Sequence, residues 1–155
     1  MLGLLCVVLA LTACAGRGSG AYSDVLRSDF SAQVQGVLNG VEFSAQLEAR
    51  TGDSGREVIA TFYAPEGICG TVAAKRADGS AYWQAGDVIL EGGDGIAPLL
   101  DLFTQEHAVS EASLDESGHT VVQAEGLTLT LLPDGTPYRI TTPTVDLTVI
   151  SWEPR

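Results

Sequence analysis

Phe30-Ser-Ala-Gln-Val-Gln-Gly-Val-Leu38 is followed by Asn39-Gly40 and then by Val41-Glu-Phe-Ser-Ala-Gln-Leu-Glu-Ala49. In the first run Phe30, Ala32 and Val34 alternate with Ser31, Gln33 and Gln35. In the second, Val41, Phe43, Ala45, Leu47 and Ala49 alternate with Glu42, Ser44, Gln46 and Glu48. Apolar residues at every second position give a strand with one dry and one wet face. Asn39-Gly40 supplies the two residues that best tolerate positive φ, so it predicts a tight hairpin turn between them.

Outward from this hairpin the same grammar continues. Thr51-Gly-Asp-Ser-Gly55 reads as a turn, and Glu57–Tyr63 as a third strand that Pro65-Glu66-Gly67 stops. Short strands are predicted at Thr71–Lys75, Ala81–Gln84 and Asp87–Leu90, separated by Asp78-Gly79 and Gly86-Asp87. Further strands fall at Thr120–Ala124 and Leu127–Leu132, then, after the turn Pro133-Asp134-Gly135-Thr136-Pro137, at Tyr138–Thr141 and Val145–Trp152. One segment departs from period two. Ile96, Leu99, Leu100 and Phe103 fall at i, i+3, i+4 and i+7, which is helical spacing. Asp94 is its expected N-cap, and Pro98 suits the first turn. A short helix with one apolar face must lie on the sheet. The predicted fold is therefore mainly β, an α+β arrangement in which nine or ten antiparallel strands curl into an unclosed half-barrel around one or two short helices. A flat sheet of that size is disfavoured.

The chain opens with Met1-Leu-Gly-Leu-Leu-Cys-Val-Val-Leu-Ala-Leu-Thr-Ala-Cys14. The run Leu2–Ala13 is uncharged, and a spanning helix needs about 20 apolar residues. It suits the apolar core of a signal peptide. Leu11-Thr12-Ala13-Cys14 has the lipobox form, in which small residues precede a cysteine that is lipidated at the cut. The expected division is a signal peptide at 1–13, a lipidated cysteine and flexible linker at 14–28, and one domain at 29–155. Ala15-Gly16-Arg17-Gly18-Ser19-Gly20 reads as linker, and Tyr22–Asp29 as a polar bridge with at most one helical turn. The protein is thus expected outside the cytoplasm, held to the cell membrane by lipid on Cys14.

Composition narrows the function classes. The chain is 45% hydrophobic and 18% charged, so it carries enough apolar material for a core. Its net charge of -12 speaks against nucleic acid as a partner and against an electrostatic grip on anionic lipid. Of three cysteines, Cys6 leaves with the leader and Cys14 carries lipid. Cys69 then has no intramolecular partner, and it is read as a small buried hydrophobe.

Taken in order, these features resemble the LolA/LolB-like superfamily. They are the lipoprotein cysteine, the first hairpin, the Phe62-Tyr63-Ala64-Pro65-Glu66 strand end, the apolar helix at Ile96–Phe103, and Leu132-Pro-Asp-Gly-Thr-Pro-Tyr-Arg-Ile140 followed by Val145–Trp152. The likeness covers about residues 28–153 and is nearest to small lipoproteins of Gram-positive, clostridia-like bacteria. It implies an open antiparallel barrel around helices, which in the best-known members carries acyl chains or lipids. The chain departs from those carriers in two ways: it is only 6% aromatic, and it has an anchor that the soluble periplasmic carrier lacks.

Catalytic signatures are missing from the sequence. There is no Gly-x-Ser-x-Gly elbow, and His107 and His119 are isolated and read as solvated loop or helix-end residues. Glu106, His107 and His119 match no metal-ligand spacing. The acidic stretch Asp87, Glu91, Asp94 and Asp101 lacks the alternation of a calcium loop. No enzyme activity, cofactor or metal is expected. The candidate ligand surface is apolar: Phe30, Val34, Val41, Phe43 and Leu47 of the hairpin, Phe62, and Leu99, Leu100 and Phe103 of the helix. Tyr82, Trp83 and Trp152 are candidates for a cavity mouth or for sheet packing. Two readings follow. In one, the half-barrel holds a lipid or acyl chain. In the other, the barrel is filled by these same side chains and the partner is another envelope protein.

Overall fold

The computed structural model describes residues 20–155; the expected signal peptide and Cys14 lie outside them. Helix α1 (Gly20–Arg27) leads into β1 (Phe30–Leu38), β2 (Val41–Gly52) and β3 (Gly55–Ala64). A 3-10 turn at Glu66–Ile68 precedes β4 (Val72–Lys75), β5 (Ala81–Ala85) and β6 (Val88–Glu91). Helix α2 (Ala97–Asp101) follows, then β7 (Val109–Leu114), β8 (Thr120–Ala124), β9 (Leu127–Leu131), β10 (Pro137–Thr141) and β11 (Val145–Pro154). No described helix is long and apolar enough to cross a membrane.

The eleven strands among the described residues form one antiparallel sheet in the order β6-β5-β4-β3-β2-β1-β11-β10-β9-β8-β7. The chain starts at the centre, meanders to one edge, crosses to the other edge, and meanders back. This order explains the position of α2. The connection from β6 to β7 joins opposite edges of a curled sheet, so it must traverse the concave face. It is tied down at both ends of its path. The Asn39 side-chain amide donates to the Gly95 carbonyl at 3.3 Å, and Arg56 Nε–H donates to the Phe103 carbonyl at 2.7 Å.

The hairpin that decides the fold forms as its sequence predicts. Phe30 pairs with Ala49 and Leu38 with Val41, and Asn39 and Gly40 take φ of 51° and 82°. Among the described glycines the closest approach is at Gly36, between β1 and β11, where a Cβ would sit 2.1 Å from the Asp146 carbonyl oxygen. Only glycine lets β1 and β11 approach so closely.

Four expectations are corrected. The sheet has an eleventh strand, β7, whose alternation is too polar to register: Ser110, Glu111 and Ser113 are exposed. The stretch read as a polar bridge is the eight-residue helix α1, and its Leu26 is fully buried in the core. Asp94 does not cap α2. Ile96 occupies the N-cap without a side-chain bond, and the Gly93 carbonyl accepts from the Ile96 and Ala97 amides instead. Cys69 is exposed, because it ends the 3-10 turn at the surface rather than lying in a strand.

Candidate functional site

Of the nine residues proposed for an apolar cavity, eight reach the interior. Phe30, Val34, Phe43, Leu47, Phe62, Leu99, Leu100 and Phe103 are 0 to 6% exposed and belong to one core. Val41 does not join them and is 56% exposed. Alternation puts it on the same face as Phe43, but it is the first residue after the turn, at the end of the strand.

These side chains belong to one cluster, and their rings meet. Phe30 stacks on Trp152 with ring centroids 4.0 Å apart and lies tilted against Phe103 at 5.1 Å. Phe62 meets Phe43 edge-on at 5.8 Å and stacks on Trp83 at 5.4 Å. Trp83 and Trp152, both partly buried, thus pack against the core rings. Tyr82 faces outward, with the Arg76 guanidinium 4.3 Å above its ring. Ile96, Leu99, Leu100 and Phe103 are all fully buried, as the helical spacing predicts. Each such side chain contributes about 1.5–3 kcal/mol by leaving water.

Of the nine, Phe43 alone borders any of the following four clefts among the described residues. One, of about 330 Å³, lies on the outer face between Gln35, Glu42, Arg139 and Asp146. A second, of about 560 Å³, lies around the turns bearing Arg50, Gly55 and Asp78. The other two, of about 280 and 460 Å³, lie beside Tyr22 and Asp134 and beside His107 and Pro143.

A polar girdle closes the lower end of the core. Arg56, the second residue of β3, donates to the carbonyls of Phe103, Leu26 and Ser28 at 2.7, 3.2 and 2.7 Å. It also pairs with Asp29 at 3.3 Å. The Thr51 amide and hydroxyl, with Arg56 beside them, hold the Asp29 carboxyl below its usual range. Burial pushes the Arg56 value down, and Asp29 opposes that shift. Lys75 of β4 bonds Asp101 at the end of α2. No pattern in the sequence singles out Arg56; its role depends on three segments that converge only in space.

The histidines remain apart. His107 is half-buried and its ring nitrogen bonds the Leu102 carbonyl at 2.9 Å. His119 lies 3.2 Å from Asp115 within its own turn and packs against Tyr138. Among the described residues, no group of three His, Cys, Asp or Glu side chains is arranged around a metal position.

The apolar surface that the sequence did not single out is on β6. Val88, Ile89 and Leu90 are all more than half exposed, on successive positions of an edge strand.

No family model matches the chain, and no curated protein sequence matches it significantly. Solved structures do resemble it. An uncharacterised conserved protein from Thermus thermophilus aligns with a TM-score of 0.51 at 16% identity, over 88% of this chain and 84% of that one. MucB aligns with a TM-score of 0.54 at 11% identity, over 90% of this chain; the chain spans 60% of the length of MucB. A domain described as an outer membrane lipoprotein-sorting protein, from Vibrio parahaemolyticus, aligns at 0.49 and 8% identity, over 88% and 89% of the two chains. At these identities the likeness is one of fold: an open antiparallel half-barrel around short helices.

Proposed function

We propose that this chain is an extracytoplasmic lipoprotein, tethered to the membrane through Cys14, whose filled half-barrel acts as a non-catalytic protein-interaction module of the envelope. The observation that carries the reading is the mutual packing of Phe30, Phe43, Phe62, Leu99, Leu100 and Phe103. A carrier of acyl chains needs a void lined by such side chains. Here they satisfy one another, as in an ordinary close-packed interior. The lipobox at Leu11–Cys14 supports the anchor and the location. Kinship with small lipoproteins of Gram-positive bacteria belongs to the same proposal.

Native mass spectrometry with organic extraction tests it, on the soluble chain from Ser19. The expected result is a clean protein mass and no uptake of added fatty acid or phospholipid. A stoichiometric co-purified lipid would instead establish the other reading, in which the half-barrel opens around an acyl chain.

A further inference from the structure

We propose that the outer edge of β6, which no other strand among the described residues pairs with, is the docking site of this module, and that it takes up an extended partner segment with apolar residues between two basic ones. The inference rests on the interaction-module reading above and gives it a surface.

A sheet edge presents unpaired backbone groups, and folded proteins usually blunt such edges. The two edges of this sheet differ. On β7 the pairing is interrupted by an irregularity between Val109 and Glu111, the exposed side chains are mostly polar, and α1 lies against the strand. β6 is regular along its whole pairing with β5, and it carries Val88, Ile89 and Leu90 in the open. The backbone direction follows from the ladder. Gly92 N–H donates to the Ala81 carbonyl at 2.9 Å, and hydrogen-bonded pairs alternate along an antiparallel ladder. The bonded pairs are then Trp83 with Leu90 and Ala85 with Val88. Ile89 and Glu91 therefore turn their amides and carbonyls outward, ready to receive another strand.

The side chains define the occupant. Leu90 lies opposite Trp83, whose ring stacks on Phe62. An added strand with apolar residues opposite Leu90 and Val88 would extend that row out of the core. Asp87 and Glu91 bracket the apolar stretch; Glu91 has Arg76 at 3.5 Å but keeps its side chain 65% exposed, so basic residues suit the two ends. A second copy of this chain fits poorly. In the antiparallel register of greatest overlap, centred on Ile89, Asp87 of each copy would face Glu91 of the other, and each copy carries a net charge of -12. The same charge disfavours insertion of this edge into an anionic membrane.

The test uses the full-length chain in detergent and the peptide acetyl-Lys-Val-Thr-Val-Lys-amide, followed by amide hydrogen exchange. The peptide is expected to slow exchange at Ile89 and Glu91. Replacing both of its lysines by glutamate should weaken binding about tenfold, and N-methylating its central amide should abolish it. Ile89→Pro removes an outward amide while sparing the bonds to β5, so it should abolish binding and leave the unfolding midpoint close to the parent's. Protection elsewhere, binding unchanged in Ile89→Pro and with the N-methylated peptide, or no protection at millimolar peptide would overturn the edge assignment and leave the module reading standing. Protection of β6 by phosphatidylglycerol vesicles but not by the peptide would overturn it in favour of a membrane contact. An interior filled by lipid would remove the module reading itself.

Discussion

Arg56 Nε–H donates to the Phe103 carbonyl oxygen at 2.7 Å, which joins the start of β3 to the end of the segment crossing the concave face. The same guanidinium bonds the carbonyls of Leu26 and Ser28. One planar donor set thus fastens both helical segments to the sheet. Lysine has a single point of charge and does not reproduce that fork. Arg56→Leu is expected to cost about 3 kcal/mol, because several acceptors lose a charged donor at once. Arg56→Lys should recover only part of it. Urea unfolding of the three chains measures this; a cost under about 1 kcal/mol for Arg56→Leu would reduce the girdle to a surface contact.

That girdle marks the limit of what the sequence makes legible. Period-two alternation locates the Phe30–Ala49 hairpin and its neighbours because burial on one face imposes it. Period 3.6 places Ile96, Leu99, Leu100 and Phe103 on a buried face for the same reason. β7 escapes because an edge strand has little to bury, so nothing enforces its alternation. The exposure of Val41 escapes because alternation gives a direction and not the extent of the covering layer. Arg56 is silent for a third reason. Apart from Thr51 in the preceding turn, its partners lie 27 to 47 residues away along the chain, and no local pattern encodes them. Whether inward residues enclose a void or fill one is a matter of volume, which no periodicity reports.

Gly36 and Gly40 separate steric room from backbone conformation. A Cβ on Gly36 would lie 2.1 Å from the Asp146 carbonyl oxygen, so Gly36→Ala forces β1 and β11 apart. The expected cost is about 2–3 kcal/mol, with weakened protection of β11 amides in hydrogen exchange. Gly40 has open space around it but a φ of +82°. Gly40→Ala should cost about 1 kcal/mol, from conformation alone. Equal costs would show that the sheet relaxes freely at Gly36.

Leu100 lies fully buried on α2, between a sheet and a helix end that Asp101 ties to Lys75. Leu100→Asp places a carboxylate there without a partner. A loss of about 4 kcal/mol or unfolding is expected. Leu100→Met, which keeps volume and polarity, should stay under about 1.5 kcal/mol. A Leu100→Asp chain with the parent's Tm would mean that the concave face is open to water.

Cys14 lies outside the described residues, and the lipid anchor proposed for it rests on the lipobox form of Leu11–Cys14. Cys14→Ala should abolish incorporation of a labelled fatty acid and release the protein from membranes. The domain should keep its Tm, since none of the core contacts described above involves the leader. Membrane retention without labelling would place the anchor elsewhere in the chain.

Acid should unfold the domain, and the sign follows from its carboxylates. Hydrogen bonds from the Thr51 amide and hydroxyl lower the Asp29 value, and those from Arg139 lower the Asp146 value. Asp78, Asp115 and Asp134 are lowered within their own turns, chiefly by Ser80, the His119 amide and the Thr136 amide. In each case the folded value lies below the unfolded one, so between the two the unfolded chain binds more protons. The stabilisation is complete above the unfolded carboxylate value of about 4 and is lost as pH falls through the folded values. Tm is therefore expected to stay level from about pH 7 to about pH 5 and to fall below about pH 4. Asp29→Asn removes one titrating group at the Arg56 girdle, so its Tm should start lower and decline less steeply with acid. A parent chain whose Tm holds or rises on acidification to about pH 3 would show that these carboxylates are no better stabilised in the fold than in the unfolded chain.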